Sequence, residues 1–154
     1  MDVSPAPLFP FVDLDTNILL LYSRGDRSCL AYEVHPDEVK GKQFQKLPSF
    51  EHATLQLGWA FLPKQGNDIK EVEILSSLRL TSATVEKVSW TVPRRAHGEH
   101  FQDDVFIPTA DVETSTLTAD EWMAGKTCPL ALIDLRPEGL QPCKFLPFLT
   151  SYRC

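Results

Sequence analysis

The densest group of side chains able to do chemistry is His97, Glu99, His100, Asp103 and Asp104, gathered in one short stretch. Two kinds of chemistry would use such a set: metal ligation, and general acid–base work by a pair of carboxylates. Zinc proteases place two histidines four positions apart on one helix face. In His97-Gly98-Glu99-His100 the spacing is shorter and the setting is not helical, so no metal site is expected. Asp103 and Asp104 are neighbours in what reads as an extended segment, Phe101 to Phe106, where successive side chains point to opposite faces. They are expected to be solvent-facing or salt-bridged, not a catalytic pair. The sequence also lacks a Gly-rich phosphate loop, a nucleophile elbow and a defensible Ser/His/Asp order. These residues predict a protein that is not an enzyme, with no catalytic residue, cofactor or metal.

What positions this charged stretch is the strand that ends just before it. Val88, Trp90 and Val92 alternate with Lys87, Ser89 and Thr91, which gives one apolar and one polar face. Pro93 has no amide donor for a sheet ladder, so the strand is expected to stop there. Arg94 and Arg95 follow immediately.

Composition narrows the class further. With 154 residues, 43% hydrophobic and 23% charged, the chain has the make-up of a folded globular protein. A net charge of −6 with no concentrated basic face argues against nucleic-acid binding. Twelve prolines against seven glycines favour many short strands joined by loops over a helical bundle. Cys29, Cys128, Cys143 and Cys154 show no CxxC spacing and no secretory leader precedes them, so four free thiols in a reducing cytosol are expected. The longest apolar run, Ile18 to Tyr22, is far below the roughly 20 residues of a membrane span, which leaves only peripheral membrane association.

Along the chain, residues 1–11 read as an extended, proline-rich lead-in. Ile18 to Ser23 is apolar on both faces, as in an interior strand, and Ser28 to Val34 is a second strand. Arg24-Gly25-Asp26-Arg27 supplies the turn between them, and its Arg-Gly-Asp triplet is better read as a hairpin turn than as an integrin ligand. Residues 35–51 read as an exposed connection with a short strand near Phe44. A third strand is expected from Leu55, with Leu55, Leu57, Trp59 and Phe61 on one face. A long strand follows, with Val72, Ile74, Leu78 and Leu80 on its apolar side and Glu71, Glu73, Ser77 and Arg79 on the other. Residues 84–92 complete an antiparallel meander of five segments. Thr118 and Glu121 have capping-box spacing, so one short helix is predicted there, with Gly125 closing it and Trp122 pinning it to the sheet. Pro129 to Leu135 reads as a last strand.

Several motifs in order resemble the coronins, actin-associated proteins with a seven-bladed WD40-type propeller. They are Leu8-Phe9-Pro10-Phe11 with Asp13-Leu14-Asp15-Thr16, Gly25-Asp26 followed by Tyr32-Glu33-Val34, Leu62-Pro63-Lys64, Thr91-Val92-Pro93-Arg94, Phe101-Gln102-Asp103-Asp104, and Glu121-Trp122 with Gly125. The run from Asp68 to Glu73 and Leu78-Arg79-Leu80 look closer to the long, tandem-propeller members. The resemblance implies an all-β fold: about two antiparallel blades of the propeller, then a C-terminal extension carrying one short helix. It implies a partial propeller at 1–93, an extension packing on it at 94–139, and an irregular tail at 140–154. Two departures are visible: Pro108-Thr109-Ala110 lacks an Asp of the family pattern, and no heptad repeat follows.

The implied partners are actin filaments and cytoskeletal or trafficking proteins, in a cytoplasmic, cytoskeleton-associated setting that extends to Golgi membranes. Filament surfaces are acidic, which makes Lys64, Arg94 and Arg95 the candidate protein-binding residues. Seven blades need about 300 residues, so this chain is expected to be an arc with uncovered apolar faces and poor stability alone. The alternative is a product without activity of its own that competes with or completes an intact propeller.

Overall fold

The computed structural model describes residues 6–39, 41–94 and 98–143. Arg95, His97, Cys154 and most of the 140–154 tail lie outside the described residues. The chain forms two compact units, one of Met1–Leu62 with Ser77–Ser89 and one of Pro63–Ser76 with Trp90–Cys154. Its sheets are mostly antiparallel and carry one short helix, as expected.

In the first unit, β1 (Leu8–Asp13), β2 (Ile18–Ser23), β3 (Ser28–Val34) and β4 (Phe44–Lys46) pair in chain order, and β5 (Phe50–Glu51) pairs with β3. β1 corrects the reading of residues 1–11 as a mere lead-in, since it pairs with β2 along its whole length, Leu8 opposite Ser23 to Asp13 opposite Ile18. Pro10 is tolerated because β1 is an edge strand, where a missing donor can face outward. The turn after it is closed by Thr16, whose hydroxyl donates to the Asp13 carboxylate, and by Asn17 at φ 55°. Gly25 takes φ 80° in the next turn, as that hairpin requires. The strand expected from Leu55 is shorter than expected: β6 is Gly58–Phe61. The core gathers Leu20, Cys29, Ala31 and Trp59 with an aromatic cluster. Phe11 stacks on Phe61 at 3.8 Å, and Phe50 meets Trp59 edge-on at 5.2 Å. Each such pair adds about 0.5–1.5 kcal/mol beyond its buried area.

A second sheet has the order β6, β7 (Glu73–Leu80), β8 (Val85–Thr91). β7 departs most from expectation. Glu73, Ser77 and Arg79, on the face opposite Val72 and Ile74 by alternation, are all buried, so β7 is covered on both sides. Each has found an internal partner, which removes the desolvation cost that ordinarily sends such residues outward. β8 ends at Thr91, before Pro93, as its sequence predicts.

In the second unit, a single 3₁₀ turn, Lys64–Gly66, leads to Val72, which is fully buried at φ 54°. Its carbonyl accepts from Val92 N–H at 3.1 Å. A β-branched residue in the left-handed region is strained, and burial holds it there. β9 (Thr109–Ala110) pairs with β10 (Leu132–Ile133), and α1 (Ala119–Met123) lies between them in the chain. The capping box is formed as predicted and Gly25's counterpart at the helix end, Gly125, has φ 80°. Trp122, however, is 69% exposed, so it is not buried against the sheet as expected. Phe101 to Phe106 is a turn and not extended, closed by Phe106 N–H donating to the Gln102 carbonyl at 2.9 Å. Cys143 is disulfide-bonded, so the expectation of four free thiols holds only for Cys29 and Cys128 among the described residues.

Candidate interaction surface

The feature that organises one rim of the first unit is Gln56, whose side chain is fully buried. A glutamine amide carries two donors and one carbonyl, and all are used here. Its Nε2 donates to the carbonyls of Ser28 at 2.7 Å and Ser23 at 3.2 Å, and its Oε1 accepts from the Trp59 indole at 3.0 Å. Its backbone does the same work: Gln56 N–H donates to the Asp26 carbonyl at 2.8 Å and the Gln56 carbonyl accepts from Gly25 N–H at 2.7 Å. His52 N–H adds a bond to the Arg27 carbonyl at 3.0 Å. The Arg24–Arg27 turn and the 52–57 loop are thereby joined into one platform. Asp26 is committed to it, because its carboxylate accepts from Arg27 N–H at 2.6 Å and Ser28 Oγ at 3.3 Å. An integrin-type ligand needs that carboxylate free, so the hairpin reading of Arg-Gly-Asp stands.

Beneath the same loop lies Arg79, with no exposed side-chain surface. Nη1 donates to the Glu86 carboxylate at 2.7 Å, Nη2 donates to the carbonyl and the hydroxyl of Thr54, and the guanidinium stands over the Phe50 ring, 5.6 Å from its centre. Thr54 N–H and Arg79 Nη1 both point at His52 Nδ1, which assigns that nitrogen as the acceptor and places the proton on Nε2. The Glu86 carboxyl is held below its ordinary range by its bond from Thr84 and then by Arg79.

The residues singled out from sequence fall elsewhere. Lys64 opens the 3₁₀ turn, half-buried and engaged within the fold. Arg94 Nη2 meets Asp104 Oδ2 at 2.8 Å, so the acidic pair is split: Asp104 bridges to Arg94 while Asp103 sits half-buried in the turn. Glu99 is exposed and His100 is half-buried. Among the described residues no three His, Cys, Asp or Glu side chains converge on a metal-sized site, and no helix is long and apolar enough to cross a membrane. Sequence reasoning missed Gln56 and Arg79, since a lone Gln or Arg in an alternating pattern reads as surface.

A family model described as a type of WD40 repeat matches residues 85–129. The crystal structure of the WD40 domain from Toxoplasma gondii coronin superposes with a TM-score of 0.74 at 27% identity, over 89% of this chain and 34% of that one. The chain is thus built from WD40-type propeller blades. Within that class it is a coronin homologue. It is 37% identical over 147 residues to coronin-7 of Rattus norvegicus, covering 96% of this chain and 16% of that protein. It is also 37% identical over 144 residues to coronin-2A of Bos taurus, covering 92% of this chain and 26% of that one. The chain therefore spans only about a sixth to a quarter of these relatives' length.

Proposed function

We propose that this chain is a non-catalytic protein-interaction module of coronin type that takes part in actin filament binding and actin cytoskeleton organisation. Homology to coronins over 96% of the chain is the observation that supports it most. The setting is cytoplasmic and cytoskeleton-associated, with Golgi-linked vesicle traffic and peripheral membrane association as its extension. In this reading residues 1–93 form the partial propeller, 94–139 the extension and 140–154 the tail, and Lys64, Arg94 and Arg95 contribute basic contacts. Cosedimentation with actin filaments at about 50 and about 200 mM salt tests it. Pelleting that weakens at the higher salt is expected, and no pelleting at either would overturn it.

A second reading, a segment that competes with or completes an intact propeller, draws on the exposed Leu8, Phe9 and Val12 of β1. Mixing with the remaining blades of a coronin propeller should then give a compact complex on gel filtration. Separate elution of the two pieces would rule it out.

A further inference from the structure

In the second unit, the pairing of β9 with β10 closes residues 111–131 into a loop that carries α1, and Asp111 N–H donating to the Ala131 carbonyl at 2.8 Å ties its base. The walls of this loop are fixed locally. The Asp111 carboxylate accepts from Glu113 N–H at 2.9 Å and Thr114 N–H at 3.3 Å, the capping box starts α1, and Lys126 N–H donates back to the Glu121 carbonyl at 3.0 Å. Between these walls lies an open groove of about 820 Å³ whose apolar lining is Val112, Leu117, Trp122, Met123, Cys128 and Leu130. Val112, Trp122, Met123 and Leu130 are between 61% and 77% exposed. A tryptophan beside a methionine, both uncovered in a concavity, has the make-up of an interface hot spot, and a hydrogen-bonded frame lowers the ordering cost of association.

We propose that this groove takes a basic amphipathic helix of a partner protein, with its apolar face on Trp122, Met123 and Leu130 and its cations against Glu113 and Asp120. Charge selects that occupant. The chain from Ala110 to Leu130 holds four carboxylates, Asp111, Glu113, Asp120 and Glu121, and a single cation, Lys126, which donates to Glu121 at 2.6 Å. Lys64 adjoins Gln65, whose amide donates to Asp111 at 3.2 Å, and counting it still leaves the sum negative. Arg136 adds nothing, since Asp134 pairs with it at 3.9 Å. Such an edge repels nucleic acid, an anionic membrane and the acidic surface of an actin filament alike, so the assignment is independent of the actin reading. A helix with apolar anchors at i, i+3 or i+4, and i+7, and with Lys or Arg elsewhere, complements both the groove and its acids.

Fluorescence anisotropy of a labelled synthetic Leu/Lys amphipathic helix, titrated with the full chain, tests this against a Leu/Glu helix of the same pattern. Wild type should bind the Leu/Lys helix at least about tenfold more tightly, with an affinity that falls as salt rises. Trp122→Ala/Met123→Ala should weaken binding at least about tenfold at unchanged salt dependence, and Glu113→Gln/Asp120→Asn about threefold or more with a flatter one. Asp37→Asn/Glu38→Gln removes the same charge from exposed positions of the first unit and should leave binding as it was, and far-UV circular dichroism verifies that each variant is folded. Equal affinity for the two helices, or groove variants that bind like wild type, would overturn the site while leaving filament pelleting and the actin reading as they stand. A wild-type dimer in sedimentation equilibrium that Trp122→Ala/Met123→Ala dissociates would assign the groove to a second copy and refute the partner helix. Displacement of the helix by the remaining blades of a coronin propeller would assign it to the propeller and refute it equally.

Discussion

The Trp59 indole donates to the buried Gln56 amide at 3.0 Å, and that one bond joins the aromatic core of the first unit to its rim. Through Gln56 the position of Trp59 is coupled to Ser23 and Ser28 at both ends of the Arg24–Arg27 turn. Core packing and loop geometry are therefore a single arrangement.

Gln56→Leu keeps the volume and removes every side-chain bond. The Trp59 indole and two buried carbonyls would be left unsatisfied, at an expected cost of about 2–4 kcal/mol. Urea unfolding followed by tryptophan fluorescence measures it. A loss below about 0.5 kcal/mol would show that water replaces the amide and that the rim is not anchored through it.

Glu86 makes stability fall with acid. Its folded carboxyl lies below the ordinary 4.5, so the unfolded chain takes up the proton first as pH drops. The contribution is complete above 4.5 and is lost as pH falls through the depressed folded value. Asp111 and Glu121 are lowered as well and act in the same direction. Melting temperature against pH should thus decline below about 4.5, and less steeply in Glu86→Gln. Parallel curves for the two proteins would contradict the Arg79–Glu86 bond.

The cysteines differ in reactivity. Burial pushes the Cys29 thiol from 9.0 up to about 12, while Cys128 is exposed. A maleimide at neutral pH should label Cys128 and spare Cys29 until denaturant is added. The same shift predicts that stability declines as pH rises above 9.0 towards 12, because the unfolded thiol ionises first. Rapid native labelling of Cys29 would contradict the packing of β3 against its neighbours.

The uncovered Leu8, Phe9 and Val12 of β1 predict binding of a hydrophobic dye by the isolated chain. Leu8, Phe9 and Val12 are exposed on a strand that, among the described residues, is an edge of its sheet. Light scattering should also grow with concentration. A monomer that melts cooperatively and leaves the dye dark would refute this.

Much of the sheet was legible because its signals are local. Alternation marked β8, a glycine at the right place marked the β2–β3 turn, and the Thr118–Glu121 spacing marked α1. What escaped was set by long-range partners. The alternation rule sends Glu73, Ser77 and Arg79 outward, but Ser76, Val88 and Glu86 satisfy them inside. The same rule sends Leu55 and Leu57 inward, whereas the loop is fixed by Gln56 and leaves them in solvent. Pro10 masked β1, since an edge position was not visible in sequence.

Hydrogen exchange over residues 23–28 and 52–58 tests the account most directly. Slow exchange of the Gly25 and Gln56 amides is predicted, because each is bonded from one loop to the other. Exchange of both at open-loop rates would contradict it.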